Sequence, residues 1–368
     1  SIDPNNFDSW VLLANIYAIN NNYARAKELL TKANEIEPDN LTVLNNLGTA
    51  CKALGNSKEA QNFYEKVLRI NPNHTNAQFN LGLIFYKLKE LKKAKKFFKK
   101  TTEIQPNYAL AFFNLANVNV DLREYENAIS NYQKAIEINP NLVGAHNNLG
   151  LVFRGLNDFK NAISCYEKVI LIKPSHAGAH HNLAMVFKEL GEFEKGIKSH
   201  QTAIKYEPEN LAHYYYLSEL KKDILDSQLK SKIEKIIKNN NSTKTNIAYG
   251  NYLLSKYENK MKNYEQELNY LIQGHQYFFN SKKEKFELGI KYCFDDVMQI
   301  SKGVSVSKLD NQSNYKIKPI FIIGVPRCGS TLVEKIIASG KKFIPIGEET
   351  AVMENFINSK ILEKQSLN

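Results

Sequence analysis

The sequence predicts a mainly α fold: a solenoid of helix–turn–helix repeats, followed by the first β–loop–α part of an α/β domain. Three observations predict it. Prolines stand at Pro4, Pro38, Pro72, Pro106, Pro140, Pro174 and Pro208, and every gap is 34 residues. A leucine and a small residue recur with the same period, as Leu13-Ala14, Leu47-Gly48, Leu81-Gly82, Leu115-Ala116, Leu149-Gly150 and Leu183-Ala184. Near the other end, the apolar run Pro319-Ile320-Phe321-Ile322-Ile323-Gly324-Val325 precedes a glycine-containing turn.

Each position of the repeat has a physical reason. The leucine and small residue let the first helix approach the second closely. Ala26, Ala60, Ala94, Ala128, Ala162 and Gly196 make room on the second helix. Four positions later Leu30, Tyr64, Phe98, Tyr132, Tyr166 and His200 fill space between neighbouring units. Proline then ends the second helix, because it cannot continue the hydrogen-bond ladder. No unit buries its apolar face alone, so stacking supplies the core.

The chain divides on this reading into six repeats over 1–208, a degenerate helical region over 209–300, a polar linker over 301–318 and an α/β opening over 319–368. In the second region helical patterns run over 224–238, 246–256, 264–279 and 286–300. Residues 246–279 read as a decayed repeat packed through Tyr257, Tyr264 and Leu271-Ile272.

Composition narrows the classes. Of 368 residues, 43% are hydrophobic and 24% charged, as in ordinary soluble domains. No apolar run reaches the ~20 residues that span a bilayer, and no membrane partner is expected. The net charge of +11 is spread over helical stretches. Even in the lysine-dense run 91–100, Leu91, Ala94 and Phe98 keep helical spacing, so the charge is read as a solvated face and not as a nucleic-acid site. Cys51, Cys165, Cys293 and Cys328 lack metal-ligand spacing, which points to a reducing, cytoplasmic setting and no metal. His146, His180 and His181 read as groove or packing residues.

The C-terminal stretch carries chemistry. Pro319–Val325 reads as a buried parallel strand and Leu332–Ser339 as an amphipathic helix. Between them lies Pro326-Arg327-Cys328-Gly329-Ser330-Thr331. Strand, glycine turn and helix place backbone N–H groups and a helix N-terminus around an anion. A nucleotide-hydrolysing phosphate loop would carry lysine where Ser330 stands, so ordinary ATP or GTP hydrolysis is not expected. Positive charge comes from Arg327, whose planar guanidinium suits a tetrahedral oxyanion. A second strand, Phe343–Ile346, leads to Gly347-Glu348-Glu349-Thr350. Taken alone, the two glutamates also suit a helix start, where the dipole favours negative charge.

The repeat resembles the tetratricopeptide repeat, whose pattern is met by Trp10, Leu13-Ala14, Tyr17, Ala26, Leu30, Ala33 and Pro38. The resemblance covers residues 7–208 and implies a concave groove lined by the first helices. The series Asn46, Asn80, Asn114, Asn148 and Asn182 would then face a protein or peptide ligand, as in the asparagine ladder of O-linked N-acetylglucosamine transferase repeats. The alternative is that asparagine only caps local structure there. Ser1–Pro4 resembles the end of a preceding repeat, implying earlier repeats.

Pro326-Arg327-Cys328-Gly329-Ser330-Thr331-Leu332 resembles the 5′-phosphosulfate loop of tyrosylprotein sulfotransferases, which use 3′-phosphoadenosine 5′-phosphosulfate (PAPS). It departs at Cys328 and, mildly, at Ser330. The resemblance makes Glu349 the catalytic base, and Arg327, Ser330 and Thr331 the groups holding the sulfonate. The arginine that the family carries two residues after the base is Ala351 here. The family's 3′-phosphate site would lie further along, which implies that the stretch 319–368 alone lacks full activity. Bacterial sulfotransferases with N-terminal repeats are similar from end to end. Three functions are expected in turn: sulfonation of a hydroxyl with the repeats presenting the acceptor, an interaction scaffold, and a glycosyltransferase of the O-linked N-acetylglucosamine class. The loop Pro326–Thr331 argues against the third.

Overall fold

The computed structural model describes residues 6–291, which form sixteen α-helices and one 3-10 turn. Contacts divide them at Glu207–Pro208 into two units. The strands, loop and linker expected beyond Lys291 lie outside the described residues.

The first unit is six antiparallel helix pairs. They are α1 (Phe7–Ile19) with α2 (Tyr23–Ile36), α3 (Leu41–Ala53) with α4 (Ser57–Ile70), and α5 (Thr75–Lys87) with α6 (Leu91–Ile104). The next are α7 (Ala109–Asp121) with α8 (Tyr125–Ile138), α9 (Val143–Gly155) with α10 (Phe159–Ile172), and α11 (Ala177–Glu189) with α12 (Phe193–Tyr206). Each pair packs on the next, and the first helices also touch in succession, α5 to α7, α7 to α9 and α9 to α11. The first helices therefore share one face.

Within a pair, the large residue of the second helix is pressed onto the small residue of the first. A Cβ on Gly48 would lie 2.7 Å from the Tyr64 ring, on Gly82 2.6 Å from Phe98, and on Gly150 2.7 Å from Tyr166. The rings of Tyr64, Phe98 and Tyr166 are fully buried. They thus close their own helix pair, a tighter role than the filling between units that their spacing suggested. Where the large residue is smaller, as with Leu30 and His200, the first helix carries Ala14 and Ala184. The fourth pair keeps both Ala116 and Tyr132, and there the Tyr132 hydroxyl donates to Asn117 Oδ1 at 2.6 Å.

Turns repeat as strictly as the core. Asn21, Gly55, Lys89, Arg123, Asn157 and Gly191 all have φ between 59° and 83°. After each, an N–H reaches back to the carbonyl five residues earlier, as in Asn22 to Tyr17 at 2.8 Å and Glu90 to Phe85 at 2.9 Å. This left-handed closure satisfies carbonyls that the helix end leaves open. The residue before each repeat proline is pushed to extended φ, from −127° at Glu37 to −135° at Lys173. Six residues after the proline, a side chain donates to its carbonyl oxygen: Gln78 to Pro72, His146 to Pro140 and His180 to Pro174, each at 2.9 Å. His146 and His180 therefore hold inter-repeat turns. No cluster that could hold a metal exists among the described residues.

The second unit holds α13 (Leu211–Leu220), a 3-10 turn (Lys222–Ile224), α14 (Ser227–Lys238), α15 (Lys244–Lys260) and α16 (Tyr264–Lys291). The helix expected from residue 224 starts at Ser227, because Asp226 accepts the Leu229 N–H at 2.7 Å and caps it there. The patterns at 264–279 and 286–291 merge into one helix. Lys262 at φ 60° and the Asn263-to-Glu258 bond of 2.9 Å close α15 onto α16 with the same turn as the repeats. The expected packing residues need correcting. Tyr264 is 64% and Ile272 50% exposed. The contact runs instead through Gly274, whose Cβ would lie 2.6 Å from the Tyr252 ring, so the large residue has moved to the first helix. No helix of the described residues is long and apolar enough to cross a membrane.

Two outcomes follow from the ring contacts. Gly82→Ala should destabilise the array by ~1–3 kcal/mol through overpacking, and Phe98→Leu added to it should restore part of the loss. Urea unfolding of the two variants checks this; simple additivity would contradict it. Burial pushes the Tyr64 hydroxyl up to about 12, against about 10 in an unfolded chain. A raised folded value means that this stability is full below about pH 10 and is lost as pH rises through about 12. Helical circular dichroism should fall together with the growth of the part of the tyrosinate absorbance that Tyr64→Phe removes. Ionisation of that part well before helix loss would show that the Tyr64 ring is open to solvent.

Candidate functional site on the first-helix face

The asparagine series lies on the shared face of the first helices, and all five side chains are half-buried. Most of them reach a neighbouring repeat. Asn46 Nδ2 donates to Asn15 Oδ1 at 3.1 Å, Asn148 Nδ2 to Asn117 Oδ1 at 3.0 Å, and Asn182 Nδ2 to Asn147 Oδ1 at 3.1 Å. Asn80 Oδ1 accepts from the Lys52 ammonium, whose burial lowers its pKa below the usual lysine value. Asn114 alone turns inward on its own helix, donating to the Leu110 carbonyl at 2.7 Å. These bonds tie one first helix to the next, a role distinct from both local capping and a free ladder. A primary amide has two N–H donors, so each bond still leaves one for a ligand.

The face has a cavity of about 410 Å³, within the range of small binding sites. Its wall comes from four helices: Tyr86 on α5, Asn117, Val120 and Asp121 on α7, Tyr125 and Tyr132 on α8, and Asn148, Leu151, Val152 and Gly155 on α9. Leu156, just past α9, completes it. Gly155 leaves the mouth open, since a Cβ there would meet nothing within 4 Å. Asp121 lies 3.5 Å from the exposed Lys89 ammonium. Burial, with Asp121 alongside, pushes the Tyr86 hydroxyl up to about 12, so it stays protonated and can donate. Asn117 Oδ1 is filled by Tyr132 and Asn148, which fixes the Asn148 amide in the wall.

Of the groove residues read from sequence, only Asn148 lines this cavity; Tyr132, read as a packing residue, lines it too. Tyr86, Asn117, Asp121 and Tyr125 were not legible, because their repeat positions carry different residue types from unit to unit. The equivalents of Asp121, for example, are Ala53, Lys87, Gly155 and Glu189. Pro326, Arg327, Cys328, Gly329, Ser330, Thr331, Leu332 and Glu349 lie outside the described residues.

Comparison with known proteins agrees with this architecture. Tetratricopeptide repeat families match residues 6–73, 41–107, 143–176 and 177–210, and a further TPR repeat family matches 120–156. The sulfotransferase family matches residues 319–366. Among solved structures, PilF of Pseudomonas aeruginosa is 18% identical with TM-score 0.52, over 58% of this chain and 97% of that one. The Cut9–Hcn1 hetero-tetramer of APC/C gives 17% and 0.50, over 60% and 44%. YrrB, described as a TPR protein with an unusual peptide-binding site, gives 23% and 0.45, over 51% and 96%. No curated protein matches. The described helix pairs and the family matches together identify the chain as a tetratricopeptide-repeat protein that also carries a sulfotransferase-family segment.

Proposed function

We propose that the chain belongs to a PAPS-dependent sulfotransferase whose repeats bind the protein or peptide that carries the acceptor hydroxyl. The observation that carries the reading is the coincidence, in residues 319–366, of the sulfotransferase-family match with the loop Pro326–Leu332 and the motif Gly347–Thr350. The donor set fits a phosphosulfate. Arg327 supplies a fixed planar cation, Ser330 and Thr331 supply hydroxyl donors, and Gly329 allows close approach of backbone N–H groups. The lysine of a hydrolysing loop is missing at Ser330, as a reaction without γ-phosphate cleavage allows.

PAPS when bound supplies the sulfonate. Glu349 would take the proton from the acceptor hydroxyl as its oxygen bonds to sulfur. Arg327, Ser330 and Thr331 would hold the sulfonate and neutralise the charge left on the departing phosphate oxygen when the sulfur–oxygen bond breaks. Protein tyrosine is the acceptor that the loop's resemblance implies, although Ala351 replaces the arginine expected beside the base. Scattered thiols support a reducing, cytoplasmic setting. A second reading, a pure interaction scaffold, is favoured by the repeat array itself.

Calorimetry with adenosine 3′,5′-bisphosphate separates the two, using the full-length protein. Binding is expected, and Arg327→Ala should weaken it by about a hundredfold, the order of a lost bidentate charge contact. No binding by a folded protein would leave the scaffold.

A further inference from the structure

We infer that the cavity between α5, α7, α8 and α9 selects a peptide segment carrying a cationic side chain, arginine or lysine. The inference rests on the reading of the first-helix face as a peptide-binding surface and names what that surface recognises. Asp121 alone carries charge among the residues lining the cavity. Its pair with Lys89 is long, at 3.5 Å, and the Lys89 side chain is 65% exposed, so a ligand cation entering from the groove can displace it. Arg154, the nearest basic residue on α9, is already held by both carboxylate oxygens of Glu189 at 2.6–3.1 Å, and so does not cancel the field of Asp121.

The rest of the wall suits the other parts of such a side chain. Val120, Leu151 and Leu156 offer an apolar track for the methylene stem, which keeps its charged end free. Tyr86 and Tyr125 bring aromatic rings to the same cavity, and ring faces attract a cation. Asn148, held by Asn117 and beside the Tyr132 hydroxyl, adds a fixed polar amide to the wall that a peptide main chain can meet. An acidic or phosphorylated side chain would meet Asp121 with like charge. A purely apolar one would desolvate that carboxylate and offer it no charge in return.

The test uses two fluorescein-labelled peptide pools, each with randomised positions flanking one central residue: arginine in one, its neutral isostere citrulline in the other. Fluorescence polarisation measures binding to the wild type, Asp121→Asn and Gly155→Phe. Asn matches Asp in shape, and Gly155 has open space beside it, so both variants should fold. The arginine pool should bind the wild type on the order of tenfold more tightly than the citrulline pool. Asp121→Asn should abolish that difference, and Gly155→Phe should weaken both pools by filling the cavity. Equal binding of the two pools would overturn the cationic preference and leave peptide binding standing. Preference retained in Asp121→Asn would move the site elsewhere. No binding by either pool would remove the peptide-binding reading of this face as well.

Discussion

The structure depends on one contact made repeatedly: a large side chain from the second helix seated on a small residue of the first. At Gly48, Gly82 and Gly150 the ring comes so close that even a methyl group would collide with it. That approach brings the two helices together and buries Tyr64, Phe98 and Tyr166 completely. Because the pairs are alike, each presents the same surface to the next, and stacking follows. The common face of first helices is a consequence of that stacking, and with it the cavity beside Asp121.

Much of this was legible in sequence because it is periodic. Proline, the leucine–small pair and the small residue of the second helix recur at 34 residues, and each has one structural meaning. Other features repeat in geometry without repeating in residue type. The left-handed turn is made by Asn21 and Gly55 but equally by Lys89 and Arg123. Lysine and arginine give no turn signal; the backbone hydrogen bonds and the packed pair hold them at a φ that costs roughly 1–2 kcal/mol. In the second unit the proline register is lost, so the packing residues could not be read by extrapolation. There the large and small partners have exchanged helices, with Tyr252 on the first and Gly274 on the second.

The candidate site shows the same division. The asparagine series was visible as a period, and its members do lie on the shared face. Its use was not visible: Asn46, Asn148 and Asn182 bond to a neighbouring first helix, which only the superhelical stacking brings within reach. The cavity arises where the repeats differ, with Gly155 small, Asp121 acidic and Tyr86 aromatic at positions that elsewhere hold other types. A regular scaffold with irregular residues on one face is how a repeat protein acquires a particular partner. On the proposed reading, Arg327 and Glu349 would add a chemistry that the repeats lack, and the groove would supply what a transfer loop lacks, a means of choosing the acceptor.

The central claim is that one chain both selects and sulfonates its target. The most direct measurement incubates the full-length protein with PAPS and a hydroxyl-bearing peptide pool, and follows sulfonated product by mass spectrometry. The account predicts product with the wild type, none with Glu349→Ala, and a changed or lost peptide selection with Gly155→Phe. Peptides that bind yet are never sulfonated, or sulfonation indifferent to both variants, would contradict it.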